Sequence, residues 1–254
     1  MNIIGIIPAR MSSSRYPGKA LERIHGMPMI GHCYFRTSMA NGVENVYVAT
    51  CDTEIYDYIL SIGGNAVMTA NTHTRATART AEALEIIEKQ TGVSVDVVVM
   101  VQGDEPMIQP NSIGDTIQHF QDQSVEIVNI MSRLPTKEAF EDENNVKVVV
   151  NNDSDALYFS REPIPSPWKG WEKIPRYMQT GIIAFRRDSL IHFNTMEETQ
   201  LEKIESVDMN RVIETGGKIK MVLTESITIG VDVPEELIEV EKLLIDDEIM
   251  KGYL

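Results

Sequence analysis

Apolar runs at residues 3–7, 46–49, 66–68 and 97–101 alternate with stretches of helical spacing at 29–39, 53–62, 78–89 and 111–120. No other feature constrains the fold as strongly. Strands alternating with helices predict βαβ units, and repeated units predict a mostly parallel open sheet with helices on both faces, an α/β fold. The strand runs are almost continuously apolar, Val97-Val98-Val99-Met100-Val101 most clearly, as strands buried on both sides require. Sheets of this kind bind ligands beyond the carboxyl ends of their strands.

The second half has a different texture. Residues 146–150 and 156–160 are extended segments around the turn-rich Asn151-Asn152-Asp153-Ser154-Asp155, and prolines recur from Pro163 to Pro175. That pattern predicts a hairpin and a long irregular loop. The expected organisation is a single domain over residues 1–254, with a hairpin-and-loop appendage at about 145–180 suited to dimerisation or acceptor binding. The chain then returns through a strand at 181–185, a helix at 200–214, a strand at 218–223 and a last helix opened by Pro234.

A formal net charge of −15 disfavours nucleic acid or an anionic membrane surface as a partner. A small anionic substrate is compatible with it, because a few basic residues gathered in one pocket suffice. Cys33 and Cys51 read as free thiols of a reducing compartment. The apolar run that stops at Pro8 is too short for a signal-peptide core, and no later run spans a membrane, so the protein is expected to be soluble and cytoplasmic.

Behind the first strand run comes Pro8-Ala9-Arg10-Met11-Ser12-Ser13-Ser14-Arg15-Tyr16-Pro17-Gly18-Lys19. Three cations, Arg10, Arg15 and Lys19, stand on a loop whose Gly, Ser and Pro leave backbone N–H groups free to face an anion, as phosphate binding requires. The loop is neither a P-loop nor a dinucleotide fingerprint. Gln102-Gly103-Asp104-Glu105-Pro106 leaves the fourth strand at the same expected rim. Asp104 there could hold hydrated Mg²⁺ jointly with substrate phosphates, or the segment could be a plain turn. Asp232, in Gly230-Val231-Asp232-Val233-Pro234, could simply start the last helix; paired with Asp104 it becomes the second carboxylate of a Mg-nucleotide site. His73, Thr74, Arg75, Thr77 and Arg79 follow the third strand. They could open a helix, or Arg75 and Arg79 could clamp an acidic acceptor. His25, His32, His119 and His192 show no metal-ligand spacing with the cysteines.

Together, Pro8-Ala9-Arg10-x-x-Ser13-x-Arg15-x-Pro17-x-Lys19, Val48-Ala49-Thr50, Val101-Gln102-Gly103-Asp104-Glu105-Pro106, Ala156-Leu157-Tyr158-Phe159-Ser160-Arg161 and Gly230-Val231-Asp232-x-Pro234-Glu235 resemble the CMP-3-deoxy-manno-octulosonate (CMP-Kdo) synthetases. These belong to the wider cytidylyltransferase group. The motifs fall in the family's order and span nearly the whole chain. The resemblance implies a Rossmann-like nucleotidyltransferase fold, a homodimer formed through the segment after the core sheet, and Mg²⁺-dependent transfer of CMP from CTP to an acidic sugar with release of pyrophosphate. By motif match, Ala9, Arg10, Ser13, Arg15, Lys19 and Gln102 would bind the nucleotide. Asp104 and Asp232 would ligate Mg²⁺, and with Lys19 they form the expected catalytic set. In-line transfer at phosphorus needs positioning and charge neutralisation more than a protein nucleophile.

The family's His-x-Ser-Gly-Thr-(Asp/Glu)-Arg stands here as His73-Thr74-Arg75-Ala76-Thr77-Ala78-Arg79. Its His-x-Gly-(Ile/Val)-Tyr stands as Gln179-Thr180-Gly181-Ile182-Ile183, and its Leu-Glu-Gln-Leu-Arg as Val207-Asp208-Met209-Asn210-Arg211. The acceptor candidates are accordingly Arg75, Arg79, Gln179, Glu205 and Arg211, for a 2-keto-3-deoxy sugar acid or a related anion. Two other readings stay open: a nucleotidyltransferase with another base or a sugar-phosphate acceptor, and a non-catalytic nucleotide-binding paralogue.

Overall fold

The computed structural model describes residues 1–13, 15–226 and 229–254. Every residue of β1 (Ile3–Pro8) is buried, because its alternating side chains feed two cores. Ile4 and Ile6 enter one apolar cluster, Ile3 and Ile7 another. A small hairpin of β2 (Arg23–Ile24) and β3 (Met27–Pro28) leads into α1 (Met29–Ser38). The expected alternation follows: β4 (Asn45–Thr50), α2 (Thr53–Ser61), β5 (Asn65–Met68), α3 (Ala76–Thr91), β6 (Val97–Val101) and α4 (Pro110–Gln118).

Beyond it come β7 (Ile127–Arg133), α5 (Lys137–Glu141), the hairpin β8 (Lys147–Val150) and β9 (Ala156–Ser160), β10 (Tyr177–Arg186) and α6 (Arg187–Thr195). The chain continues through α7 (Gln200–Glu205), α8 (Met209–Glu214), β11 (Lys220–Thr224) and α9 (Pro234–Leu243).

The central sheet has the order β11-β7-β10-β6-β1-β4-β5, with β8 attached to β10 and β9 to β8. Along that path only β10 runs against its neighbours, so the sheet is mostly parallel. One face carries α3, α6 and α8 through residues such as Leu84, Phe193 and Met209; the other carries α1, α2 and α4 through Ile30, Ile55 and Ile113. A third cluster seats α9 on the hairpin and on α1, where Val240 and Leu244 meet Ile24 and Met29. Among the described residues no helix is long and apolar enough to cross a membrane.

The continuous helix expected at 200–214 is two helices. Ser206 takes a left-handed conformation at φ 53 and ends α7, and the N–H of Val207 bonds back to the carbonyl of Glu202 at 3.3 Å. β7 and α6 are absent from the sequence reading. β10 begins four residues earlier than expected, its start pairing with β7 and β8.

Candidate functional site

The loop after β1 is shaped locally before it meets anything else. Gly18 adopts φ 80, a value costly for side-chain-bearing residues, and its N–H bonds the Met11 carbonyl at 2.9 Å. This closes the loop and turns Lys19 inward. The Met11 N–H bonds Asp52 at 2.7 Å, tying the loop to the end of β4. At the end of β6, a Cβ on Gly103 would lie 3.1 Å from the Pro8 carbonyl oxygen and 3.0 Å from Ile30. The glycine is what lets the two strand ends approach.

The result is a cleft of two adjoining lobes over the strand ends. The first is lined by Ala9, Arg10, Ser13, Arg15, Lys19, Gln102, Asp104 and Asp232, with Arg75 and Arg79 from the start of α3. The second lies beside it, toward Gln179, Arg161, Asn144 and Asp208, and shares Arg15, Arg75, Gln102, Asp104 and Asp232.

Lys19 sits at the meeting point. Its side chain is 11% exposed and its Nζ contacts Asp104 Oδ2 at 2.8 Å and Asp232 Oδ1 at 2.9 Å, while donating to the Val231 carbonyl at 2.7 Å. Burial opposes the charge, yet Asp104, with Asp232 behind it, outweighs burial and holds the ammonium above its ordinary pKa. Arg15 reaches the other oxygen of Asp232 at 2.7 Å and Asn144 at 2.8 Å. Asp232 is brought here from far along the chain. Val231 is buried with its N–H on the Asp104 carbonyl at 2.8 Å, and Glu236 caps the start of α9 by accepting from the N–H groups of Asp232 and Val233 at 2.6 and 3.0 Å.

Among the described residues no group of three or more His, Cys, Asp or Glu side chains gathers to hold a metal. Asp104 and Asp232 nevertheless offer the donor set Mg²⁺ takes when substrate phosphates complete its shell: hard carboxylate oxygens, few in number, beside the cationic loop that follows β1. Asp104 Oδ1 has no hydrogen-bond partner among the described residues.

The acceptor candidates divide. Gln179 lines the second lobe, and Arg75 lines both. Arg79 lines the first lobe only; it is buried and donates to the Thr69 hydroxyl at 2.5 Å, and its Nη2 has no partner among the described residues. Glu205 stands behind the cleft wall. Its carboxylate takes the Arg161 N–H at 2.9 Å and the hydroxyls of Ser160 and Tyr158 at 2.8 Å each. Burial raises its pKa, but those three donors overcome burial and hold the carboxyl below its ordinary value. Arg211 is not in the cleft. It is buried against Glu202 at 2.6 and 2.7 Å, with its guanidinium over the Phe193 ring, because the turn at Ser206 sends α8 into the core.

Sequence reasoning passed over Arg161, Glu105 and Asn129. Arg161 ends the Ala156-to-Arg161 motif and lines the second lobe, its Nε bonded to the Glu205 carbonyl at 2.8 Å. Glu105 also lines that lobe, and burial pushes its carboxyl up to about 7 although it accepts the Gly181 N–H. For Asn129 the signal was one amide inside the apolar run Ile127-Val128-Asn129-Ile130-Met131.

A sequence model of the cytidylyltransferase family matches residues 4–223. The chain is 40% identical to the 3-deoxy-manno-octulosonate cytidylyltransferase of Pelobacter propionicus over 250 residues, covering 94% of this chain and 96% of that protein. It is also 40% identical to the enzyme of the same name from Fusobacterium nucleatum over 241 residues, with the same coverage. A solved structure of a CMP:2-keto-3-deoxy-manno-octonic acid synthetase complexed with CTP superimposes with a TM-score of 0.86 at 36% identity, covering 100% of both chains. A putative glucose-1-phosphate thymidylyltransferase of Bacillus anthracis shares the fold at a TM-score of 0.69 and 17% identity, covering 96% of each chain.

Proposed function

This chain belongs to the cytidylyltransferase family, and from that premise we propose that it transfers CMP from CTP to 3-deoxy-manno-octulosonate and releases pyrophosphate. The observation that carries the reading is the convergence of Arg10, Arg15, Lys19, Asp104 and Asp232 on one lobe, beside a second lobe holding Arg75, Arg161 and Gln179. The first is the donor lobe. Its cations neutralise the triphosphate, and the loop orients the α-phosphorus toward the acceptor lobe for in-line attack by the sugar hydroxyl. Arg75 and Arg161 are suited to the sugar's carboxylate, for which a guanidinium offers paired donors.

Asp104 and Asp232 are the proposed Mg²⁺ ligands. The ion, when bound, supplies charge neutralisation at the phosphates. Lys19 keeps both carboxylates on the donor lobe, and Asn144 holds Arg15 at the border between the lobes. Glu205 acts through Arg161 as a positioning residue.

Residues 1–254 are read as one catalytic domain acting in the cytoplasm, with the segment at 145–180 as the dimer contact. The apolar Leu157 and Trp168 of that segment are 55% and 83% exposed, which supports a covered surface there.

The test is pyrophosphate release by the purified protein with CTP, Mg²⁺ and 3-deoxy-manno-octulosonate, with the CMP-sugar identified by mass. Turnover only with another sugar acid would replace the acceptor; turnover with none, despite CTP binding, would leave a nucleotide-binding protein. Sedimentation at micromolar concentration reads the dimer.

A further inference from the structure

β10 slips its register against β7 between Gln179 and Ile183, and two buried side chains hold the irregular stretch. On one side the Glu105 carboxylate accepts the Gly181 N–H, and the Gly181 carbonyl accepts the Gln102 N–H at 2.9 Å. On the other is Asn129, 0% exposed. Its Nδ2 donates to the carbonyls of Ile182 at 2.8 Å, Thr180 at 3.1 Å and Ile130 at 3.2 Å.

Those contacts set a direction that runs into the acceptor lobe. A backbone carbonyl only accepts hydrogen bonds, so the end of the Asn129 amide that meets three of them is its NH₂. Its Oδ1 therefore faces Gln179, and an oxygen acceptor there calls for a donor. The Gln179 Nε2 supplies it at 2.8 Å. Gln179 keeps one side-chain acceptor, Oε1, which has no hydrogen-bond partner among the described residues, and the second hydrogen of Nε2, on a side chain that lines the second lobe. The usual ambiguity of amide orientation is removed at both residues by the carbonyls behind them.

We propose that Asn129 is a positioning residue that fixes the polarity of Gln179, so that the cleft reads a hydroxyl of the acceptor sugar through the Gln179 carbonyl oxygen. This rests on the acceptor reading above. An amide oxygen attracts a hydroxyl donor and repels a carboxylate, so the sugar enters with its carboxylate toward Arg75 and Arg161 and a hydroxyl toward Gln179. A sugar lacking that hydroxyl leaves an amide oxygen desolvated and unpaired, the situation in which hydrogen-bonding sites discriminate most sharply.

The test pairs changes in the sugar with changes in the enzyme. Wild-type protein is assayed with CTP, Mg²⁺, the parent sugar and its monodeoxy analogues, alongside Gln179→Met and Asn129→Ala. One analogue should lose at least ~10-fold in kcat/KM with wild type. Gln179→Met should treat that analogue and the parent within about 2-fold of each other, its loss lying in the sugar's KM with the KM for CTP unchanged. Asn129→Ala frees the Gln179 amide to turn and should shrink the same discrimination; should it not fold, Gln179→Met carries the cycle. If every analogue loses the same factor in Gln179→Met as in wild type, the proposal is overturned while the acceptor reading stands. A wild-type protein inactive on the parent sugar overturns both.

Discussion

In the donor lobe Lys19, Arg15, Asp104 and Asp232 face one another at 2.7–2.9 Å and stay partly exposed, whereas the polar groups around the acceptor lobe are tied to backbone. Asn129 holds carbonyls of β7 and β10, Arg161 the carbonyls of Glu205 and Glu143, and Lys147 those of Asp142 and Arg161. Apart from the Lys19 bond to the Val231 carbonyl, the first arrangement pairs side chain with side chain, so a charge there can trade its neighbour for a phosphate or a metal without orphaning backbone. The second cannot be rearranged without leaving buried carbonyls unpaired. The lobe proposed for the triphosphate is thus built from charges paired with one another, and the lobe proposed for the sugar from groups whose direction the backbone fixes.

The comparison breaks if the two lobes respond alike to substitution. The largest effect is expected at the shared carboxylates: Asp104→Ala or Asp232→Ala should lower pyrophosphate release about 10³-fold with the circular dichroism spectrum kept, and full activity in both would remove the metal assignment. Next, Arg10→Ala should raise the KM for CTP ~10- to 100-fold with little change in the sugar's KM. Gly181→Ala should do the reverse. A Cβ there would lie 2.7 Å from Glu105 Oε1 and 2.8 Å from the Gln102 Cβ, so a stability loss of about 1–3 kcal/mol should accompany a raised KM for the sugar, read by thermal melting and initial rates.

The smallest effect is a control remote from both lobes. Glu88 bonds Arg187 at 2.8 Å and the Val95 N–H at 3.0 Å, and the Arg187 hydrogen bonds, aided by Val95, hold its carboxyl below the ordinary value despite partial burial. A depressed folded pKa contributes stability that is full above the unfolded carboxylate pKa and is lost as pH falls through the folded value. Glu88→Gln should therefore cost about 1 kcal/mol near pH 7, with the gap to wild type closing in acid and neither KM moving.

The parallel half of the sheet was legible because double burial writes itself as continuous apolar runs, and the donor lobe because cations on a glycine-bearing loop announce an anion. The motifs around Lys19, Asp104 and Asp232 could be read as separate pieces; their meeting depends on α9 docking over α1, which no local pattern encodes. The acceptor lobe was harder. Arg211 and Glu205 looked alike as charged residues on one helical stretch, and the left-handed turn at Ser206 sends one into the core and leaves the other bracing Arg161. β7 escaped because a buried Asn interrupts its apolar run, and that Asn is the residue that directs Gln179.

The second carboxylate of the donor lobe arrives after β11, carried by the segment that caps α9. A chain emerging from the ribosome therefore has its whole sheet and its phosphate loop in hand before it owns Asp232. Until the last stretch is made and docked, Lys19 has one counter-charge in place of two. In chain order the sheet is closed by β11 before Asp232 is reached, so the second carboxylate is the last part of the proposed site to be made.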